Sequence, residues 1–186
     1  ILSLGLLVEE SVERAVTAIK SRDTSLAQQI IDGDHIINTK EVEVEEECLK
    51  ILALYQPVAI DLRYVIAILK INNDLERVGD LAVNIAERVV YLAKKPPLDF
   101  PFDFRTMQKK TRILLKRSLD SLILRDTDKA RKVLEDDDEV DAINRQMYDL
   151  VTKEIKTKPK NTRIYLHYLS ISRHLERIGD YATNIA

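Results

Sequence analysis

Leu75-Glu76-Arg77-Val78-Gly79-Asp80-Leu81-Ala82-Val83-Asn84-Ile85-Ala86 returns 100 residues later as Leu175-Glu176-Arg177-Ile178-Gly179-Asp180-Tyr181-Ala182-Thr183-Asn184-Ile185-Ala186, with nine of twelve positions identical. A repeat of this kind implies a chain made of two related halves. Both copies read as helix. At about 100° per residue, Asp80 falls about 40° from Glu76, while Val78, Ala82, Ile85 and Val89 cluster about 180–240° away. Glu76 and Asp80 therefore point away from the bundle core, one turn apart. The second copy places Glu176 and Asp180 opposite Ile178, Ala182 and Ile185 in the same way.

Working outward, the stretch Lys94-Lys95-Pro96-Pro97-Leu98-Asp99-Phe100-Pro101-Phe102 holds three of the five prolines. Proline removes a backbone donor and disfavours helix at the preceding residue, so helical structure must break here. On either side the plan repeats. A helix to about Ser21, with Val8, Val12, Ala15, Val16 and Ile19 on one face, meets Arg22-Asp23-Thr24. Asp23 or Thr24 is the natural N-cap of the next helix, about 25–55, which Pro57 closes before a third, about 58–93. In the second half a helix of about 104–124 meets Arg125-Asp126-Thr127, a second runs about 128–156, and a last starts near Asn161. The offset is 103 early and 100 late, so three residues are lost within the second half, near the Pro159 turn. Short connections make successive helices antiparallel neighbours. The predicted fold class is all-α: two tandem, pseudo-symmetric three-helix bundles, six helices in all. The predicted boundaries are 1–95, a Pro-rich linker at 96–103, and 104–186.

The middle helices carry a second set of acids. Asp137 and Asp141 are spaced i, i+4 within and just beyond the acidic run 135–139, and the 103-residue offset makes Asp34 and Asn38 their equivalents. Like charges at this spacing repel, so keeping an acidic pair in both repeats suggests that something cationic lies between them. Four oxygen-bearing side chains converging across a shallow groove between two helices would form a hard-cation site whose carboxylates can bridge several metals. Neither His35, His167 nor His174 recurs in both halves, so imidazole ligands are not expected. Cys48 is the only cysteine, which rules out an internal disulfide and reads as a small buried side chain on a helix. The run 135–139 by itself reads as a solvated face. Gly79 and Gly179 sit inside predicted helices, where Gly costs roughly 0.5–1 kcal/mol relative to Ala. They permit close approach of either a neighbouring helix or a ligand, and the sequence leaves both open.

Composition narrows the function classes. Aromatics are 5% of the chain and Trp is absent, a poor recipe for a sheet-rich fold. A net charge of −2 argues against a nucleic-acid-binding face. No apolar run approaches the roughly 20 residues that span a bilayer, and no signal-peptide pattern is visible. The chain starts at Ile1 rather than Met and stops at Ala186 in mid-pattern, so it looks trimmed at both ends. A reducing, cytoplasmic setting is the default expectation.

The string Asn72-Asn73-Asp74-Leu75-Glu76-Arg77-Val78-Gly79-Asp80, preceded by Gln56-Pro57-Val58-Ala59-Ile60-Asp61-Leu62-Arg63, resembles the PhoU family of phosphate-uptake regulators, as does the second Leu-Glu-Arg-Ile-Gly-Asp motif at 175–180. The resemblance implies a non-catalytic cytoplasmic adaptor that restrains the phosphate-starvation response. It would couple a phosphate ABC transporter, through its ATPase subunit, to a sensor histidine kinase, and reach the membrane only through those partners. A homodimer is the expected assembly, and no partner-binding face can be assigned. The resemblance also implies multinuclear metal clusters, iron first with zinc or nickel as alternatives. The matching positions are Glu76 and Asp80, Glu176 and Asp180, and Asp137 and Asp141. The pair Asp34 and Asn38 departs from the pattern, because Asn ligates through its carbonyl but brings no charge. Glu41, one turn further along, is the residue that could compensate. The competing reading is a carboxylate-bridged metal-dependent oxidase or hydrolase. Di-iron bundles, however, point their ligands inward and use a Glu-x-x-His motif, which has no counterpart beside these acids.

Overall fold

The computed structural model describes residues 1–98 and 102–186. Its elements are α1 (Leu2–Ser21), α2 (Thr24–Tyr55), α3 (Ala59–Ala93), α4 (Phe104–Leu124), α5 (Thr127–Thr157), a 3₁₀ turn (Pro159–Asn161) and α6 (Thr162–Ile185). The six-helix, all-α reading holds, and no strand occurs among the described residues. Of the linker predicted over 96–103, Asp99, Phe100 and Pro101 lie outside the described residues. No helix of the described residues is long and apolar enough to cross a membrane.

Local chemistry sets the helix ends. The Asp23 carboxylate accepts from the backbone N–H groups of Ser25 (2.9 Å) and Leu26 (3.0 Å) and opens α2. Asp126 repeats this at α5, accepting from Asp128 and Lys129. Arg22 and Arg125, just before them, take left-handed backbone conformations (φ 53° and 51°) that end α1 and α4. The Arg22 guanidinium also donates to the carbonyls of Leu92 and Lys95, tying the first connection to the end of α3. Asp23→Ala is expected to cost about 1 kcal/mol through loss of the cap. A urea melt in which the midpoint shifts at constant slope would measure it; no shift would mean that water satisfies the freed N–H groups equally well.

The helices form two layers. One runs α2, α3, α6, α5, with α3 against α6 at the centre; α1 and α4 lie side by side across it. Helices α3 and α6 are antiparallel, since Tyr91 near the end of α3 stacks on His167 near the start of α6. Leu75, Val78, Ala82 and Ile85 on α3 and Leu175, Ile178 and Ala182 on α6 are fully buried. They join Val8 and Val12 of α1 and Leu114 and Leu115 of α4 in one apolar cluster. The two three-helix units thus share a single core. Cys48 is buried, as its sequence context suggests. The 3₁₀ turn falls at the α5–α6 connection, where the three-residue shift in the repeat is expected.

Candidate functional site

The grooves between α2 and α3 and between α5 and α6 are the places where the acidic pairs meet. In the α5–α6 groove one carboxylate oxygen each from Asp137, Asp141 and Asp180 lie within 4.8 Å of one another. Glu176 is close enough to feel the charges of Asp180, Asp141 and Asp137. The four residues singled out in this half are therefore neighbours.

Burial and crowding act on these acids together. Desolvation, then the charges of Asp141, Asp180 and Asp138, push the Asp137 carboxyl up to about 6. Desolvation, followed by Asp180 and Asp141, raises Glu176; desolvation and then Asp141 raise Asp180. Asp137 Oδ1 and Asp141 Oδ1 are buried atoms with no hydrogen-bond partner among the described residues. A buried carboxylate oxygen without a donor is costly unless a cation or proton meets it.

The acidic run 135–139 divides by helix face. Glu135 and Asp136 are engaged by Lys132 (3.3 and 3.0 Å), Asp136 also by Arg117, and Glu139 by Lys110. Asp137 instead turns toward α6, and Gly179 makes that possible. A Cβ on residue 179 would stand 2.6 Å from Asp137 Oδ1, inside contact distance. In the first half, a Cβ on Gly79 would meet the Ile37 methyls at 3.1 and 3.2 Å and Asp34 Oδ1 only at 3.9 Å. Of the two readings open for the glycines, helix packing governs Gly79, and access for a carboxylate governs Gly179. Gly179→Ala is expected to leave the protein folded, because Ala is the better helix former and a short side chain such as Asp137 can rotate away. Cation uptake by the α5–α6 groove should fall, however. Thermal melts with elemental analysis on the same samples would separate the two effects; unchanged uptake would show that Asp137 is not a ligand.

The first-half groove is built differently. Asn38 Nδ2 donates to Asp34 Oδ2 at 3.0 Å, so one oxygen of that acid is satisfied within α2. Arg77 lies 3.6 Å from Glu76 Oε2 and 3.7 Å from Asp80 Oδ2, which offsets the α3 pair. Desolvation still raises both carboxyls, with Asp80 the next cause for Glu76 and Asp34 the next for Asp80. Asp34 Oδ1 is buried without a partner among the described residues. Glu41 also acts on Glu76 and so borders this groove. It is held by Asn72, whose Nδ2 donates to the Glu41 carbonyl (2.9 Å) and to Oε1 (3.1 Å).

The same position in the second half holds Asn144, whose Oδ1 accepts from Ser172 Oγ at 2.8 Å. The triplets Asp34, Asn38, Glu41 and Asp137, Asp141, Asn144 therefore carry the same number of acids in different order. Sequence reasoning named Glu41 but missed the Asn72 and Ser172 clasps. The 103- and 100-residue offsets applied to both helices at once could have found them.

These donor sets fit a hard, oxygen-seeking cation. All candidate ligand atoms are oxygens, three buried carboxylate oxygens await a positive partner, and Gly179 leaves room for one of the carboxylates that bears them.

Comparison with known proteins completes the picture. A family model described as PhoU domain matches residues 1–89 and 104–186. A protein of Aquifex aeolicus named phosphate-specific transport system accessory protein PhoU homolog is 38% identical over 177 residues, covering 95% of this chain and 80% of that protein. A protein of the same name from Caulobacter vibrioides is 36% identical over 188 residues, with 98% and 80% covered. The crystal structure of PhoU from Pseudomonas aeruginosa superposes with a TM-score of 0.94 at 35% identity, covering 99% of this chain and 88% of that one. The phosphate transport system regulatory protein PhoU from Streptococcus pneumoniae gives 0.87 at 33%, with 99% and 86% covered.

Proposed function

The chain belongs to the PhoU family, and on that premise we propose that it is a non-catalytic accessory protein of phosphate uptake. The observation that carries the reading is the extent of the likeness. Both repeats and nearly the whole chain match proteins named as accessory to phosphate-specific transport. In finer terms the protein works in the cytoplasm as an adaptor and negative regulator of the phosphate-starvation response. It joins the ATPase subunit of a phosphate ABC transporter to a sensor histidine kinase and meets the membrane only through them. Its working form is a homodimer. A co-purification with tagged ATPase and kinase tests the adaptor role: capture of both supports it, and capture of neither removes it.

Metal binding belongs to the same proposal. Asp137, Asp141, Glu176 and Asp180 would hold cations in the α5–α6 groove. Asp34, Glu76 and Asp80, with the Asn38 carbonyl and Glu41 beside them, would do so in the α2–α3 groove. A bound metal would supply fixed positive charge between the carboxylates, and carboxylates can bridge more than one ion. Iron is the first candidate, since ferric iron is a hard ion suited to an all-oxygen donor set, with zinc or nickel as alternatives. The α5–α6 groove is the stronger site, because among the described residues it has two buried carboxylate oxygens without partners against one in the other groove, where Asn38 already holds Asp34.

Elemental analysis of untagged protein should therefore show a larger loss of iron in Glu176→Gln/Asp180→Asn than in Glu76→Gln/Asp80→Asn. Equal losses would contradict the ranking, and no metal in the wild type would remove the proposal.

A further inference from the structure

Away from both acidic grooves, the α3–α6 seam carries a second unusual group of charges. We propose that Arg88, Arg163 and Lys95, gathered around the stacked rings of Tyr91 and His167, form a binding site for a phosphate-type oxyanion. The Tyr91 and His167 rings lie 3.8 Å apart and nearly parallel, bridging the two helices. The Arg163 guanidinium sits 5.0 Å from the Tyr91 ring centre, and Lys95 Nζ sits 5.4 Å from it. The positive charges of Arg88 and Arg163 both bear on the His167 imidazole. Three cations, from α3, the turn that follows it and α6, thus surround one aromatic pair.

Among the described residues no carboxylate neutralises them. Arg88 Nε is buried and has no hydrogen-bond partner, and among the described residues neither Arg88 nor Arg163 forms an ion pair. This differs from Arg77 and Arg117, which both reach carboxylates. Burial, and then Arg88 and Arg163, lower the His167 pKa, so the ring stays neutral at physiological pH and can offer one N–H donor. A desolvated guanidinium N–H without an acceptor is unfavourable, and like charges held close together add to the cost.

An oxyanion relieves both at once. Guanidinium forks match the oxygens of phosphate in paired, charge-assisted hydrogen bonds. Three positive charges favour a dianion over a carboxylate of single charge. Inorganic phosphate and the phosphomonoester headgroup of phosphatidic acid share this chemistry.

The test uses chelator-treated full chain at fixed ionic strength, so that phosphate cannot be held through a metal. Isothermal titration with sodium phosphate is one arm. Co-sedimentation with phosphatidylcholine vesicles, with and without phosphatidic acid, is the other. Arg163 is exposed, so Arg163→Gln should fold as the wild type does, and Arg88→Gln is the more incisive second variant. The control is Arg131→Gln, whose guanidinium pairs with Asp128 on α5. Saturable phosphate binding at one site per chain, weakened at least tenfold in both seam variants and unchanged in the control, supports free phosphate as the ligand. Vesicle binding that requires phosphatidic acid and is lost in the same variants, without phosphate binding, supports the headgroup. Binding that survives both seam variants, or failure of both probes to bind, overturns the proposal.

Discussion

Withdrawing cations from the protein is expected to lower its melting temperature by about 8–16 °C at neutral pH. Ligand that binds only the folded state at a thousandfold excess over Kd contributes about 4 kcal/mol, and each kcal/mol moves the midpoint of a domain this size by about 2–4 °C. Asp137→Asn should abolish much of that response while making the metal-free protein more stable, because it removes a charge from a crowded, half-buried groove. The pH dependence of this gain has a definite sign. Asp137 is pushed up to about 6 in the fold from an ordinary value of 3.8. The folded chain therefore keeps a proton that the unfolded chain has released. The stability it contributes is fully present below about pH 4 and is lost as pH rises through about 6. Glu176 and Asp180 shift in the same direction.

His174 works the other way. Burial, and then Arg88, Arg177 and Arg173, lower it to about 4 from 6.5, so its contribution is present above pH 6.5 and lost as pH falls through about 4. A raw stability profile mixes the two. The difference between Asp137→Asn and wild type, both metal-free, isolates the acid. The variant should melt higher at pH 7.5, and the gap should close by pH 4. A gap that does not change with pH would mean that Asp137 ionises normally. A melting temperature indifferent to chelator would remove the cation from the account of the groove.

Leu175→Ala is the second large effect expected. Leu175 is fully buried in the cluster that joins α1, α3, α4 and α6. Truncating such a residue removes buried methyl groups and leaves a cavity that the surrounding helices fill only in part, at a cost of about 2–5 kcal/mol. Because the two three-helix units share this core, the loss should not stay in the second half. Hydrogen exchange of α1–α3 amides is expected to accelerate together with that of α4–α6, within one cooperative transition. Two separate transitions, with only the second half destabilised, would show that the halves fold independently. Leu75→Ala, its repeat equivalent and equally buried, should behave alike.

The contrast between these two predictions follows what was legible in the chain. Helix positions and caps could be read directly, because hydrophobic period, Pro and Asp placement are local signals. Asp23, one of the two caps open for α2, does cap it, and its repeat equivalent Asp126 caps α5. The facing of Glu76 and Asp80 away from the apolar stripe also follows from helical period alone. The acidic run 135–139 was less legible. Five consecutive acids look like one solvated face until Lys132, Arg117 and Lys110 engage three of them and Asp137 turns to α6.

The sequence by itself therefore determined an all-α chain of two repeats, the acidic pairs of each repeat, and the departure from an acidic pair at Asn38, because these depend on neighbours within a few residues along one helix. Tertiary structure alone decided that the halves share one core, that Gly179 admits a carboxylate where Gly79 admits Ile37, and that Asn72 holds Glu41. It also placed Arg88 and Arg163 beside Tyr91 and His167 with no ion-pair partner among the described residues. Each of these depends on how closely two helices approach and on which side chains face each other across the gap. Such distances arise from packing between residues up to about 100 positions apart in sequence, which no local pattern encodes.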